Sequence, residues 1–368
     1  MILHLFIDDK FLDYTIKQFE PYNNSVFLYV KESPSEQIRH IKQQDKLTVM
    51  LRQSEEYKYL LSHLHEYAAI IVHGMYTPWQ AEVAMAAPAS VKLAWMMWGG
   101  DVYQRLDIRD TFLSPWNARL SKLHSGYKPQ SDRADYMVPR EVFMKMQYVL
   151  TDELEEYQIA SSYFQKNDWK FIWYNYYSIE ETIGTLMSAQ VSGNNVLLGH
   201  TAGIRSNQVD GLLFMRKFRK RFDKCIIPLS YGEPWYRNVL LKIGRWLLGK
   251  QFNPLLHFMP REEYNQLLVS CSTVVLPTYK PEGMGNCLTA LWMGSRLYMH
   301  KRNAQYQFFK RIGLKIFTIG DDLNKNNPDA FKPISNADLA HNREILKREY
   351  GFAEMNEKIK LLIAELEK

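Results

Sequence analysis

The chain has 368 residues, 46% of them hydrophobic and 23% charged, with a formal net charge of +6. This composition suits a soluble globular protein and excludes disordered and collagen-like classes, and the length exceeds what one hydrophobic core supports, so two domains are expected. A charge this mild and spread does not mark a nucleic-acid binder, and none is expected as a partner; it is compatible with a phosphate-bearing ligand or an anionic membrane surface.

The start, Met1-Ile2-Leu3-His4-Leu5-Phe6-Ile7-Asp8-Asp9, lacks a basic leader and turns acidic, so it reads as a first strand rather than a signal peptide. Further strand candidates follow at Val26–Val30, Leu47–Leu51, Ala69–His73, Lys92–Met97, Gln147–Leu150 and Lys170–Tyr174, after the first at Ile2–Ile7. Helical stretches such as Glu55–Tyr67 and Glu153–Phe164 separate several of them. Strands alternating with helices indicate an α/β fold with a parallel, doubly wound sheet. A small and polar stretch, 187–195, reads as a domain boundary.

A second series begins with Val196–Gly199 and continues through Cys225–Leu229, Leu255–Phe258, Thr273–Leu276, Arg296–His300 and Lys315–Thr318. Helices are expected at Val209–Phe222, Arg261–Ser270 and Leu288–Met293, and a charged helix, Arg343–Leu366, closes the chain. The expected organisation is two Rossmann-like domains facing across a cleft. The first covers 1–190 and binds an acceptor; the second covers 191–342 and binds a nucleotide; the helix of 343–368 packs back on the first. Ligands of such sheets bind beyond the carboxyl ends of the strands.

No run of about 18 apolar residues is present, so no transmembrane helix is expected and a cytoplasmic location is inferred. The three cysteines, Cys225, Cys271 and Cys287, have no CxxC spacing and read as small buried hydrophobes. Aromatics reach 14% of the chain, which suits either a carbohydrate cleft or an aromatic core.

Chemistry-bearing motifs stand at strand ends. After Val72, His73-Gly74-Met75-Tyr76 turns the chain, and His73 is either structural or a reserve base. Trp98-Gly99-Gly100-Asp101-Val102-Tyr103 presents a carboxylate after a strand. Asp101 fits a general base for a sugar hydroxyl and fits a helix cap equally well. Leu198-Gly199-His200-Thr201 leads to Arg205-Ser206-Asn207 and a helix, an arrangement suited to a phosphate, with Arg205 able to bind it in bidentate fashion. Ser206 or Asn207 could instead cap that helix. Thr278-Tyr279-Lys280-Pro281-Glu282-Gly283-Met284-Gly285-Asn286 is a second glycine-containing strand-to-helix turn, where backbone N–H groups can approach a ligand and Glu282 can accept from sugar hydroxyls.

Two basic segments are read mainly as packing. Phe214, Phe218 and Phe222 form a helical stripe with a solvated cationic face. In 235–250, Trp235, Val239, Ile243, Trp246 and Leu247 share one face and Arg237, Lys242, Arg245 and Lys250 lie elsewhere, which fits core packing or a membrane surface. No metal-ligand cluster or supported paired-aspartate motif is seen, so neither metal nor cofactor is expected.

Taken together, the motifs at Trp98–Tyr103, at Leu198–Thr201 with Arg205-Ser206-Asn207, and at Gly283-Met284-Gly285-Asn286 resemble glycosyltransferase family 56, the TDP-N-acetylfucosamine:lipid II transferases, also described as 4-alpha-L-fucosyltransferases. The similarity runs from about His73 to about Tyr306. It implies a GT-B fold, a TDP-sugar donor, a polyprenyl-diphosphate-linked saccharide acceptor and peripheral attachment at the inner face of a membrane. The implied donor set is Gly199, His200, Thr201, Arg205, Asn207, Tyr231, Phe258, Tyr279, Glu282, Gly283, Met284, Gly285 and Asn286; the catalytic candidates are Asp101 and His73. The family's phosphate loop usually reads Gly-Asn-Ser, here Gly199-His200-Thr201. Broader GT-B enzymes carry a second acid about seven residues after the Glu282 position, and Cys287-Leu288-Thr289-Ala290 has none, which fits a deoxyribose donor. The alternatives are a capsule or O-antigen transferase using a UDP- or GDP-sugar, and a non-catalytic nucleotide-sugar-binding protein.

Overall fold

The computed structural model describes residues 1–105, 107–124 and 138–368. Their strands form two wholly parallel sheets. The first contains β1 (Ile2–Leu5), β2 (Ser25–Lys31), β3 (Leu47–Leu51), β4 (Ala69–His73), β5 (Lys92–Met96), β6 (Tyr148–Thr151) and β7 (Lys170–Trp173), in the order β3-β2-β1-β4-β5-β6-β7. The second contains β8 (Asn195–Leu198), β9 (Cys225–Pro228), β10 (Phe252–Leu255), β11 (Cys271–Leu276), β12 (Arg296–Met299) and β13 (Phe317–Thr318), in the order β10-β9-β8-β11-β12-β13. Both are doubly wound: the chain runs outward from the first strand of each sheet, then returns to that strand's other side. The reversal falls between β1 and β4 in one sheet and between β8 and β11 in the other.

Strands covered on both faces read as continuous apolar runs. All residues of β4 and of β11 are buried, and each apolar side chain so buried contributes about 1.5–3 kcal/mol. Much of the aromatic content goes into the cores, where Trp79, Trp95, Tyr103, Tyr174, Tyr236 and Tyr298 are fully buried. The three cysteines are free and buried.

The chain divides by contacts into two units. One holds Met1–Arg105, residues 138–177 and Ala353–Lys368; the other holds residues 107–124 and Ser178–Phe352. The division departs from single cuts near 190 and 342 because the chain crosses more than once. In the second unit, the helix Pro115–Leu123 packs on the helix Gln208–Met215. In the first, Ile359, Leu362, Ile363 and Leu366 of the last helix join the sheet's core, and Lys92 Nζ donates to the Glu365 carbonyl at 2.8 Å.

Several expected elements shift. The closing helix is two, Asn336–Tyr350 and Phe352–Glu367, separated at Gly351. The strand expected at Leu255–Phe258 lies at Phe252–Leu255 and includes Pro254, which an edge strand tolerates because that position need not donate to a neighbour. The helix expected over Val209–Phe222 ends at Met215 and tightens into a 3-10 turn at Arg216–Phe218, so Phe222 is buried from outside it. The helix Pro234–Leu248 buries Tyr236, Leu240, Gly244, Leu247 and Leu248; Trp235, Val239 and Ile243 are partly covered and Trp246 is exposed.

Candidate functional site

In the second unit the turns after β8 and β11 meet. His200 Nδ1 lies 3.5 Å from a Glu282 carboxylate oxygen, and the Lys280 ammonium bonds the other. Burial holds His200 below the usual imidazole value; Glu282 pulls it upward and Lys280 downward, so the His200–Glu282 approach joins a neutral ring to a carboxylate. For Glu282, burial raises the pKa, but Lys280 and His200 outweigh it and hold the carboxyl below its ordinary value. The turn geometry requires glycine twice. Gly199 has φ +69° and a Cβ there would meet the Gln208 amide nitrogen at 2.3 Å; Gly283 has φ +72° and a Cβ there would crowd the His200 ring at 3.3 Å.

Arg205 stands in the 3-10 turn Ile204–Ser206 and is 9% exposed, yet its Nε and Nη2 are buried without a hydrogen-bond partner. His200 Nδ1 is also buried without a hydrogen bond. Buried cations are ordinarily paired, so these unpartnered guanidinium nitrogens are unusual.

The two helix N-termini at this crevice differ. The start of Gln208–Met215 is closed: Val209 N donates to Tyr236 Oη at 3.2 Å, and Asn207 and Gln208 are fully buried. Asn207, in the left-handed region at φ 58°, accepts at Oδ1 from Ser114 N (2.8 Å) and Asn117 Nδ2 (3.2 Å) and donates from Nδ2 to the Phe112 and Pro277 carbonyls. Its side chain therefore secures the loop and neither caps the helix nor faces a ligand. The helix Met284–Met293, by contrast, starts at Gly283 with no side-chain cap; its first residues are half-exposed and the space beside Gly285 is open. Of the two helix starts, the one after β8, where an anion site was expected, is closed, and the one after β11 is open.

The remaining expected donor residues spread along the strand ends. Thr201 Oγ1 donates to the Tyr231 carbonyl at 3.2 Å. Tyr231 and Phe258 are 56% and 70% exposed and stack edge to face with centroids 6.1 Å apart. Tyr279 packs on His300 at 4.3 Å beneath the Arg302 guanidinium. Met284 Sδ accepts from Gln305 Nε2 at 3.5 Å, and Asn286 bonds Tyr264. Lys280, Ser114, Asn117 and Asn303, which donates to the Thr278 and Lys280 carbonyls, had no assigned role in the sequence reading. Only Lys280 carried a local signal, its place two residues before Glu282.

In the first unit, His73 ends β4, fully buried, and its two ring nitrogens are occupied. His73 Nε2 lies 3.0 Å from His4 Nδ1, and His73 Nδ1 lies 2.9 Å from Tyr176 Oη, which accepts from Trp98 Nε1 at 2.6 Å. One proton arrangement satisfies most of this chain: Tyr176 donates to His73 Nδ1, His73 Nε2–H donates to His4 Nδ1, and only His4 Nε2 is left over. Burial, and then His4, hold His73 far below the usual imidazole value. The ring has no free lone pair for a substrate. Asp101 is 5% exposed; its Oδ2 accepts from Trp95 Nε1 (2.7 Å), Met75 N (3.3 Å) and Trp98 N (3.4 Å), tying the turns after β4 and β5, while Oδ1 has no partner. Burial pushes its pKa up to about 6 against those donors. Among the described residues, no group of three or more His, Cys, Asp or Glu is placed to hold a metal ion, and no helix is long and apolar enough to cross a membrane.

No protein-family model matches the sequence, and no curated protein matches it significantly. Solved structures match at low identity over nearly full length. Sucrose-phosphate synthase from Thermosynechococcus elongatus aligns at TM-score 0.60 and 12% identity, over 99% of this chain and 98% of that one. Anabaena HepE in complex with UDP aligns at 0.62 and 15% identity, over 99% of both chains. A glycosyltransferase from Rickettsia africae aligns at 0.62 and 9% identity, over 100% and 98%. With two doubly wound parallel sheets, the chain has the GT-B fold that these glycosyltransferases share.

Proposed function

We propose that this protein is a glycosyltransferase that binds a nucleotide-sugar in its second unit, and the observation that carries this reading is the buried, unpartnered guanidinium of Arg205. Arg205 and the uncapped start of Met284–Met293 bind the donor's diphosphate, and no metal is needed to offset its charge. Lys280, Glu282 and His200, which meet where the turns after β8 and β11 come together, bind the sugar. In the transfer, an acceptor hydroxyl oxygen bonds to the anomeric carbon as that carbon's bond to the diphosphate breaks. The nucleoside diphosphate leaves with the bonding electrons, and the hydroxyl proton passes to Asp101 Oδ1. The partner-free oxygen and the raised pKa of Asp101 support that role.

The finer reading is a TDP-linked deoxy-amino sugar moved to a polyprenyl-diphosphate-linked saccharide, with the protein acting peripherally at the cytoplasmic face of a membrane. It rests on the family 56 resemblance and on Thr289, buried and uncharged where broader GT-B enzymes place a ribose-binding acid. A UDP-sugar is the second reading, favoured by HepE having been solved with UDP. The test is a thermal-shift panel of TDP, UDP and GDP followed by turnover of the matching labelled sugar. A native-state ligand at a hundredfold excess over its Kd adds about 2.7 kcal/mol of stability. TDP is expected to give the largest shift; no shift with any of the three, together with no turnover, overturns the proposal.

A further inference from the structure

The overall charge of +6 conceals a marked segregation. Residues 216–250 carry ten Lys and Arg against two acids, a net +8, so the other 333 residues together carry −2. Six of these ten cations are exposed on two segments of the second unit that the fold brings into contact. Arg216, Lys217, Arg219 and Lys220 are exposed on and just after the 3-10 turn Arg216–Phe218, and Lys242 and Arg245 are exposed on the helix Pro234–Leu248. Arg216 and Trp246 join the two segments, with the guanidinium 5.4 Å from the ring centre. Among the described residues, none of these six cations is paired with an acid.

We propose that this surface docks on an anionic lipid bilayer. Clustered cations attract any polyanion, and Trp246 distinguishes the lipid surface from the others. It is 74% exposed and lies against Arg216 where the two cationic segments meet. An exposed indole beside the Arg216 guanidinium, on a helix face with Lys242 and Arg245, suits the headgroup level of a membrane, where its apolar body enters the acyl boundary and its N–H stays wet. The helix has the matching form. Tyr236, Leu240, Gly244, Leu247 and Leu248 face the core, while Asn238, Lys242, Arg245 and Trp246 recur at i, i+4, i+7 and i+8 on the outside, so the helix can lie flat on a bilayer without leaving the fold. The surface rests on its own charge and exposure and deepens the membrane side of the proposed function; it does not depend on which donor is bound.

The test is co-sedimentation of the full chain with vesicles of phosphatidylglycerol and phosphatidylcholine, against pure phosphatidylcholine, at low salt and at about 0.5 M salt. The wild type is expected to bind the anionic vesicles only, and to be released by salt. The combined substitution Lys217→Glu, Lys220→Glu, Lys242→Glu and Arg245→Glu is expected to weaken that binding about a hundredfold or more. Trp246→Ala is expected to weaken it several-fold without changing its salt dependence. Both variants should keep the wild-type melting temperature and nucleotide response, which separates failure of this surface from failure of the donor site. The proposal is overturned if the wild type ignores anionic vesicles, if the fourfold variant binds them equally well, or if the surface binds single- or double-stranded DNA and no vesicle. A fourfold variant that stays folded but loses its nucleotide response would assign the charge to the donor site and overturn it as well.

Discussion

The two units apply one winding rule and differ in what they leave open at its reversal point. Between β1 and β4 of the first, the polar groups mostly answer one another: His4, His73, Tyr176 and Trp98 form a closed chain, and Asp101 spans two turns with one oxygen free. Between β8 and β11 of the second, Arg205 and His200 keep buried nitrogens with no partner. Leaving a buried cation unpaired costs several kcal/mol, a cost that persists in a fold only where something completes the pair. Topology therefore locates two crevices, and hydrogen-bond satisfaction tells them apart: unpartnered buried cationic nitrogen is found in the second.

The sharpest way to break this comparison is Asp101→Asn. If Asp101 Oδ1 takes the acceptor's proton, turnover falls about 10²–10⁴-fold while nucleotide affinity is unchanged. Because a base must be deprotonated, wild-type kcat/KM should rise with pH through about 6 and then level off, following the raised pKa of Asp101. A folded Asp101→Asn variant with ordinary turnover would reduce Asp101 to a loop tie. His73→Gln should lose stability and keep its turnover; a dead but stable His73 variant would reverse the two roles.

Asn207→Ala should lower stability by about 3 kcal/mol in denaturant unfolding, since it strands buried partners and places alanine in the left-handed region. Asn207→Gly should recover about 1 kcal/mol of that by relieving the backbone alone. Equal losses from the two would show that the backbone conformation is not under strain.

Arg205→Ala should weaken nucleotide-diphosphate binding by roughly 10- to 100-fold, the value of a charged hydrogen bond. It should not lower the stability of the ligand-free protein, because it removes an unpaired buried charge. A destabilised variant with normal nucleotide response would mean that Arg205 has an internal structural role.

The smallest effect is the pH dependence of stability. A carboxyl whose pKa rises from 3.8 to about 6 on folding contributes stability below its unfolded value and loses it as pH rises through the folded value. Between pH 5 and pH 7 that loss is about 1 kcal/mol, and Asp101→Asn should remove it. Parallel stability curves for wild type and variant would contradict the raised pKa.

What the sequence alone determined is what local chemistry encodes. Apolar runs over Ala69–His73 and Thr273–Leu276 read as strands, the second extending back to Cys271 in the structure, and both are buried because both faces are covered; glycines at 199 and 283 read as turns because the backbone needs them there. Alternation of strand and helix was enough to give the doubly wound class, and both second-unit turn motifs were legible as strand-to-helix turns. Tertiary structure alone decided which of their groups are free. Asn207 and Arg205 stand two residues apart in the same turn, yet Asn207 is satisfied by Phe112, Ser114, Asn117 and Pro277, far away in the chain, while Arg205 Nε and Nη2 have no hydrogen-bond partner. Tyr236 closed one helix start and Gly283 left the other open. The membership of residues 107–124 in the second unit likewise rests on Ser114 and Asn117 meeting Asp210 and Asn207. Periodicity and turn propensity are written within a few residues, whereas the satisfaction of a buried polar group depends on which distant segment arrives beside it.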